Sequence, residues 1–227
     1  MTMSCSQALW AIVLIAMCSN IGNGNELQDN GNNIDIRKAV NTTEKLWLFW
    51  QTYRNGFDMC GNGICIKVNE TCIYNMKINI TEKEYYFNQT ITWIGKDDTT
   101  NYRGTFKDGI DPPKSMEVTE ITEDPSDASF SGDDGQHQTW TLGYLEEIDG
   151  RCMVFSIGEL DNEIKNVLGT CDMYIKGTPK ESDPPPGCRE FFEKRCNVTK
   201  IFQPYTKACI KATDSAVASG DSNHLQP

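Results

Sequence analysis

Cys171-Asp172-Met173-Tyr174-Ile175-Lys176 opens a stretch that runs on through GTPKESDPPP to GCREFFEKRC, ending at Cys196. Within it the chain changes period. CDMYIK alternates as a strand does, and the prolines at 184–186 cannot continue that strand. Beyond them Cys188, Phe192 and Cys196 fall at i, i+4 and i+8, with Phe191 and Arg195 beside them. That spacing predicts one face of a short helix. One carboxylate, Asp172, sits beside the first cysteine. Whether it meets solvent or the interior bears directly on function.

Upstream, strand-like runs cover 45–54, 70–79, 84–95, 100–107, 115–122, 138–148, 152–158 and 170–176, mostly joined by turns rich in Gly, Asp, Asn or Pro. No helix of crossover length separates them, so an antiparallel barrel or sandwich fits better than a parallel sheet. IDIRKAV near the start reads as a short helix, and EDPSDASFSGDDG as a long acidic loop. The expected organisation is a signal peptide over 1–22, a flexible leader over 23–34, one domain over 35–211 and a flexible tail over 212–227. The signal peptide rests on the apolar run Ala8–Met17, too short to span a bilayer.

Removing that peptide leaves Cys60, Cys65, Cys72, Cys152, Cys171, Cys188, Cys196 and Cys209. An even count in a secreted chain reads as disulfides. Zinc is disfavoured by the lack of a CxxC pair and by a histidine complement of His137 and His224 only. Sequons at Asn41, Asn69, Asn79, Asn88 and Asn197 suggest a glycosylated surface. The net charge of −11 argues against nucleic acid and anionic membranes, and attracts small cations. Nothing in the sequence makes an acid–base set, a nucleophile motif or a phosphate loop, so an enzyme is not expected.

Taken together, KLWLFWQTYRNG, CIYNMKI, RCMVFSIG, CDMYIKG, GCREFF and KAC resemble the tick salivary lipocalins, the tick histamine-binding protein family. The resemblance implies an all-β protein: an eight-stranded antiparallel lipocalin barrel with a short N-terminal helix and a C-terminal helix packed outside, stapled by disulfides. It implies the pairs Cys72–Cys188, Cys152–Cys209 and Cys171–Cys196, leaving Cys60 and Cys65 to each other. It also implies that the protein sequesters a small host mediator; with the signal peptide, a secreted monomer without a cofactor is expected. A biogenic amine such as histamine or serotonin leads. A lipid mediator in the barrel, or a host protein held on the outer surface, is the alternative.

In that family amines are held by carboxylates and aromatic rings. Its signature reads Cys-Asp-aliphatic, then Glu-Leu-Trp, then Cys. The matching positions here are Cys152-Met153-Val154, Asp172-Met173-Tyr174 and Cys188, so one acid has become Met153. Asp172, Tyr174 and Tyr53 carry over, and Asp58 is a candidate second carboxylate near the mouth. For a lipid carboxylate the candidate partners are Arg54, Arg103 and Lys176.

Side chains alternate in and out along a barrel strand, so any outward marker fixes its neighbours. Cys171 bonded to an external helix turns Asp172 and Tyr174 inward, with Lys176 at the rim. Cys152 does the same for Met153, Phe155 and Ile157. A glycan on Asn88 turns Tyr85, Phe87, Gln89, Ile91 and Trp93 inward, and one on Asn79 turns Tyr74, Met76 and Ile78 inward. Trp47, Phe49 and Gln51 share the parity of Tyr53, and Trp140, Leu142 and Tyr144 form one aromatic face. The expected lumen therefore contains Asp172, Tyr174, Tyr53, Trp47, Phe49, Phe87, Trp140, Leu142, Met153 and Phe155.

Overall fold

The computed structural model describes residues 34–61, 63–109, 111–121, 137–146, 149–158, 170–196 and 198–210. The expected signal peptide, most of the leader, the acidic loop, the tail and Asn197 lie outside these residues. Eight strands close into an antiparallel barrel: β1 (Leu46–Gln51), β4 (Thr71–Ile80), β5 (Glu84–Trp93), β6 (Lys96–Phe106), β7 (Ser115–Glu120), β8 (Gln138–Leu145), β9 (Cys152–Gly158) and β10 (Cys171–Lys176). Neighbours follow the chain from β4 to β10, and β1 closes the ring between β10 and β4. This is the expected eight-stranded lipocalin barrel.

Between β1 and β4 lies a separate hairpin of β2 (Gly56–Gly61) and β3 (Ile64–Asn69), which the sequence reading did not anticipate. Also unlike the expectation, β6 begins at Lys96 rather than at Thr100, because Trp93 pairs with Lys96. The two residues between them, Ile94 and Gly95, both have positive φ, as a tight hairpin turn requires.

Helix α1 (Ile36–Val40) starts where Asp35 accepts a hydrogen bond from the Arg37 amide at 3.0 Å. Ile36, Ala39 and Val40 are buried in the same cluster as the lumen residues, so α1 plugs one end of the barrel. Helix α2 (Pro186–Arg195) has no side-chain N-cap. It is held instead by Phe191 and Phe192, which pack on Cys152, Val154, Met173 and Ile175 of the outer wall. Burying such a ring stabilises by about 2–3 kcal/mol. Gly143 of β8 allows this approach, because a Cβ there would stand 3.0 Å from the Phe191 ring.

The disulfides are Cys60–Cys65, Cys72–Cys209, Cys152–Cys188 and Cys171–Cys196. Two of the pairs implied by resemblance are therefore corrected. Cys188 lies at the start of α2, over β9, and meets Cys152 rather than Cys72. The segment after α2 crosses outside β1, where Phe202 bridges to Gln51 and the Cys72 amide donates to the Pro204 carbonyl. That course delivers Cys209 to Cys72.

Candidate ligand-binding site

Strands β9 and β10 pair without a break in register, so alternation holds along both. Met153, Phe155, Ile157 and Tyr174 belong to the lumen cluster, while Cys171, Met173 and Ile175 face α2. Asp172 follows the inward parity and is only 3% exposed. Tyr53 Oη donates to its Oδ2 at 3.1 Å, and its Oδ1 has no hydrogen-bond partner. Burial lifts the Asp172 carboxyl to about 7, against the opposing pull of the Tyr53 and Tyr174 hydroxyls. Burial, with the nearby Asp172 charge adding to it, likewise raises both tyrosines well above their ordinary value.

Aromatic rings pack against one another on the strands around this carboxylate. Tyr174 stacks on Trp140 at 5.8 Å and meets Phe155 edge-on at 5.8 Å. Phe87 lies 5.8 Å from Trp140 and stacks on Tyr85 and Tyr102. Tyr85 Oη is buried without a partner. Tyr85, Phe87, Leu142, Met153, Phe155 and Tyr174 are each 1% exposed or less, so the barrel below Asp172 is filled by its own side chains.

The end opposite α1 is the mouth, and it is acidic. Glu70, just before β4, is partly buried, and burial raises its carboxyl. It lies within electrostatic reach of both Tyr53 and Tyr102. Asp98 pairs with Ile91, and Glu120 with Tyr102; Ile91 and Tyr102 both pack against the lumen cluster. Directly opposed residues share a face, so both acids stand at the rim on the inward side. Lys96, opposite Trp93, is a cation on that face.

Eight of the ten expected lumen residues are brought together here: Asp172, Tyr174, Tyr53, Phe87, Trp140, Leu142, Met153 and Phe155. Trp47 and Phe49 are not. Trp47 packs outside between Tyr74 and Tyr205, at 4.8 and 5.3 Å, and Phe49 packs with Trp50 and Tyr205. The cause is a bulge between Leu48 and Trp50, which turns Leu46 and Leu48 inward while Gln51 and Tyr53 keep their expected side. A bulge before Asn79 likewise reverses β4, so Ile73 and Asn75 are buried whereas Ile78 is 59% exposed. A third, at Gly143, sends Tyr144 outward onto Phe191.

Asp58 is not the second carboxylate of the lumen, because it is exposed on the hairpin and paired with Arg54 at 3.2 Å. Glu70 was missed, and nothing in its local sequence distinguishes it from a solvated acid at a strand start. Arg54 also bonds Asn69 and the Val68 carbonyl, and Lys176 donates to the Asp149 carbonyl. Arg103 is paired with Tyr86, on the outward face of β5. Among the sequons, Asn41, Asn69 and Asn79 are exposed, whereas Asn88 is half-buried with its Oδ1 covered.

A closed antiparallel barrel, plugged at one end, ringed with carboxylates at the rim of the other and holding aromatic rings around one buried carboxylate, is that of a lipocalin-type binder of small mediators. A family model described as tick histamine binding protein matches residues 25–211. The chain belongs to that family. Comparison with curated proteins finds no match. Among the described residues no helix is long and apolar enough to cross a membrane.

Proposed function

We propose that the protein is secreted and sequesters a biogenic amine, such as histamine or serotonin, in the upper part of the barrel. The observation that carries this reading is Asp172: a carboxylate 3% exposed, with one oxygen on Tyr53 and the other unpaired. A buried carboxylate without a full set of partners is costly. An ammonium group supplies the missing donor and neutralises the charge. The rings of Tyr174, Trp140 and Phe155 add cation–π attraction of about 0.5–2 kcal/mol each. Neither His nor Cys chemistry is required, since the protein acts by holding its ligand.

A lipid carboxylate is favoured less. The buried polar and charged residues described are Asp35, Gln51, Asn75, Thr90, Thr170 and Asp172, with no Lys or Arg among them. Calorimetric titration of the oxidised protein with histamine, serotonin and leukotriene B4, wild type beside Asp172→Asn, tests the reading. Amine binding that drops at least tenfold in the variant is expected. A lipid bound with amines ignored would overturn it.

A further inference from the structure

The apolar surface of the lumen continues past the barrel. The inward face of β5 runs Phe87, Gln89, Ile91, Trp93, and the Trp93 ring meets Phe57 of the hairpin edge-on at 5.8 Å. Opposed hairpin residues share a face. Phe57 opposes Val68, Met59 opposes Ile66, and Gly61 opposes Ile64, so one face is wholly apolar. The other face carries Asp58 opposite Lys67 and the Cys60–Cys65 disulfide. Val68 is buried at the hairpin base, but Met59, Ile66 and Ile64 are 44%, 61% and 68% exposed. At the rise of a strand this strip extends roughly 13 Å beyond Phe57.

Exposed apolar surface of this kind, rimmed by charge, marks a binding surface. Its occupant is set by what it adjoins. Through Phe57 and Trp93 the strip joins the inward face of β5, at the same end of the barrel as Asp172, whose Oδ1 is buried and unpartnered. The rim carboxylates Glu70, Asp98 and Glu120 select a cation over a fatty anion. Below Asp172 the side chains already fill the barrel, so an apolar body is accommodated upward.

We propose that mouth and hairpin together bind a cationic amphiphile, with its ammonium at Asp172 and its alkyl or aryl body running past Trp93 and Phe57 along Met59, Ile66 and Ile64. This deepens the amine reading and rests on it. A small compact amine uses the carboxylate alone, whereas a long-chain amine uses carboxylate and strip.

The test is titration with butylamine and dodecylamine at submicellar concentration, using wild type, Asp172→Asn and Met59→Ser/Ile66→Ser. Dodecylamine is expected to bind at least tenfold more tightly than butylamine. That ratio falls at least fivefold in the hairpin variant, and Asp172→Asn weakens both ligands. Ile64→Ser, at the most exposed position of the strip, serves if the double change disturbs the hairpin. Equal affinity for the two amines, or a ratio the hairpin variants leave intact, overturns the proposal. So does adsorption to phosphatidylcholine vesicles, or a concentration-dependent dimer, that the hairpin changes abolish while chain-length preference is absent. If butylamine and histamine bind through Asp172 without that preference, only the hairpin proposal falls. If no amine of any length binds, the amine reading falls with it.

Discussion

Asp172 pits stability against binding within one side chain. Its carboxyl is lifted from the ordinary value near 4 to about 7 by burial. Between those values the folded state holds a proton that the unfolded state has lost, so wild-type stability falls as pH rises through this window. The shift corresponds to on the order of 4 kcal/mol. Asp172→Asn, which keeps an acceptor for Tyr53, should therefore raise the stability of the ligand-free protein by up to about that amount at pH 8, and by little at pH 4. Denaturant unfolding of both proteins at the two pH values measures it, and a variant less stable at pH 8 would contradict the assignment. Asp172, Tyr174, Met153 and Phe155 were legible in the sequence because each stands beside a cysteine-marked outward position on an unbroken strand. Glu70 was not, since its place at the mouth depends on β1 and β6 coming round beside it.

At the scale of the element, alternation succeeded or failed with the register. Along β5, β9 and β10 no residue is inserted, and inward faces read from one marker match the fold. Along β1 and β8 one extra residue reverses the parity, as does the second of two along β4, so Trp47 and Phe49 leave the lumen and Ile73 and Asn75 enter it. A bulge has no strong signature of its own, although Gly143 marks one, and the positive φ of Cys72 accompanies another. Disulfide pairing was illegible for a related reason, because it depends on the course of the chain after α2. The Cys72–Cys209 bond closes the longest loop, 137 residues in separation. Cys72→Ser/Cys209→Ser should cost about 5 kcal/mol in the chain-entropy account. Thermal unfolding of the variant checks the loss. A non-reducing peptide map of the wild type should yield a Cys72–Cys209 pair and a Cys152–Cys188 pair.

For the molecule as a whole, one end of the barrel is closed by α1 and the other is ringed with carboxylates, on a chain whose net charge is −11. Such a mouth focuses cations toward it. The association rate of an ammonium ligand should fall several-fold between about 0.02 M and about 0.5 M salt, as the Debye length shortens. Stopped-flow Trp fluorescence reads it, and a rate indifferent to salt would detach the rim from capture. The central claim is that a carboxylate held inside the barrel receives the ligand's ammonium. Carbon NMR of the Asp172 carboxyl across a pH series, free and with saturating histamine, tests it most directly. The account predicts a midpoint near 7 in the free protein, moved to lower pH when the amine is bound. A midpoint near 4, unmoved by the amine, would contradict it.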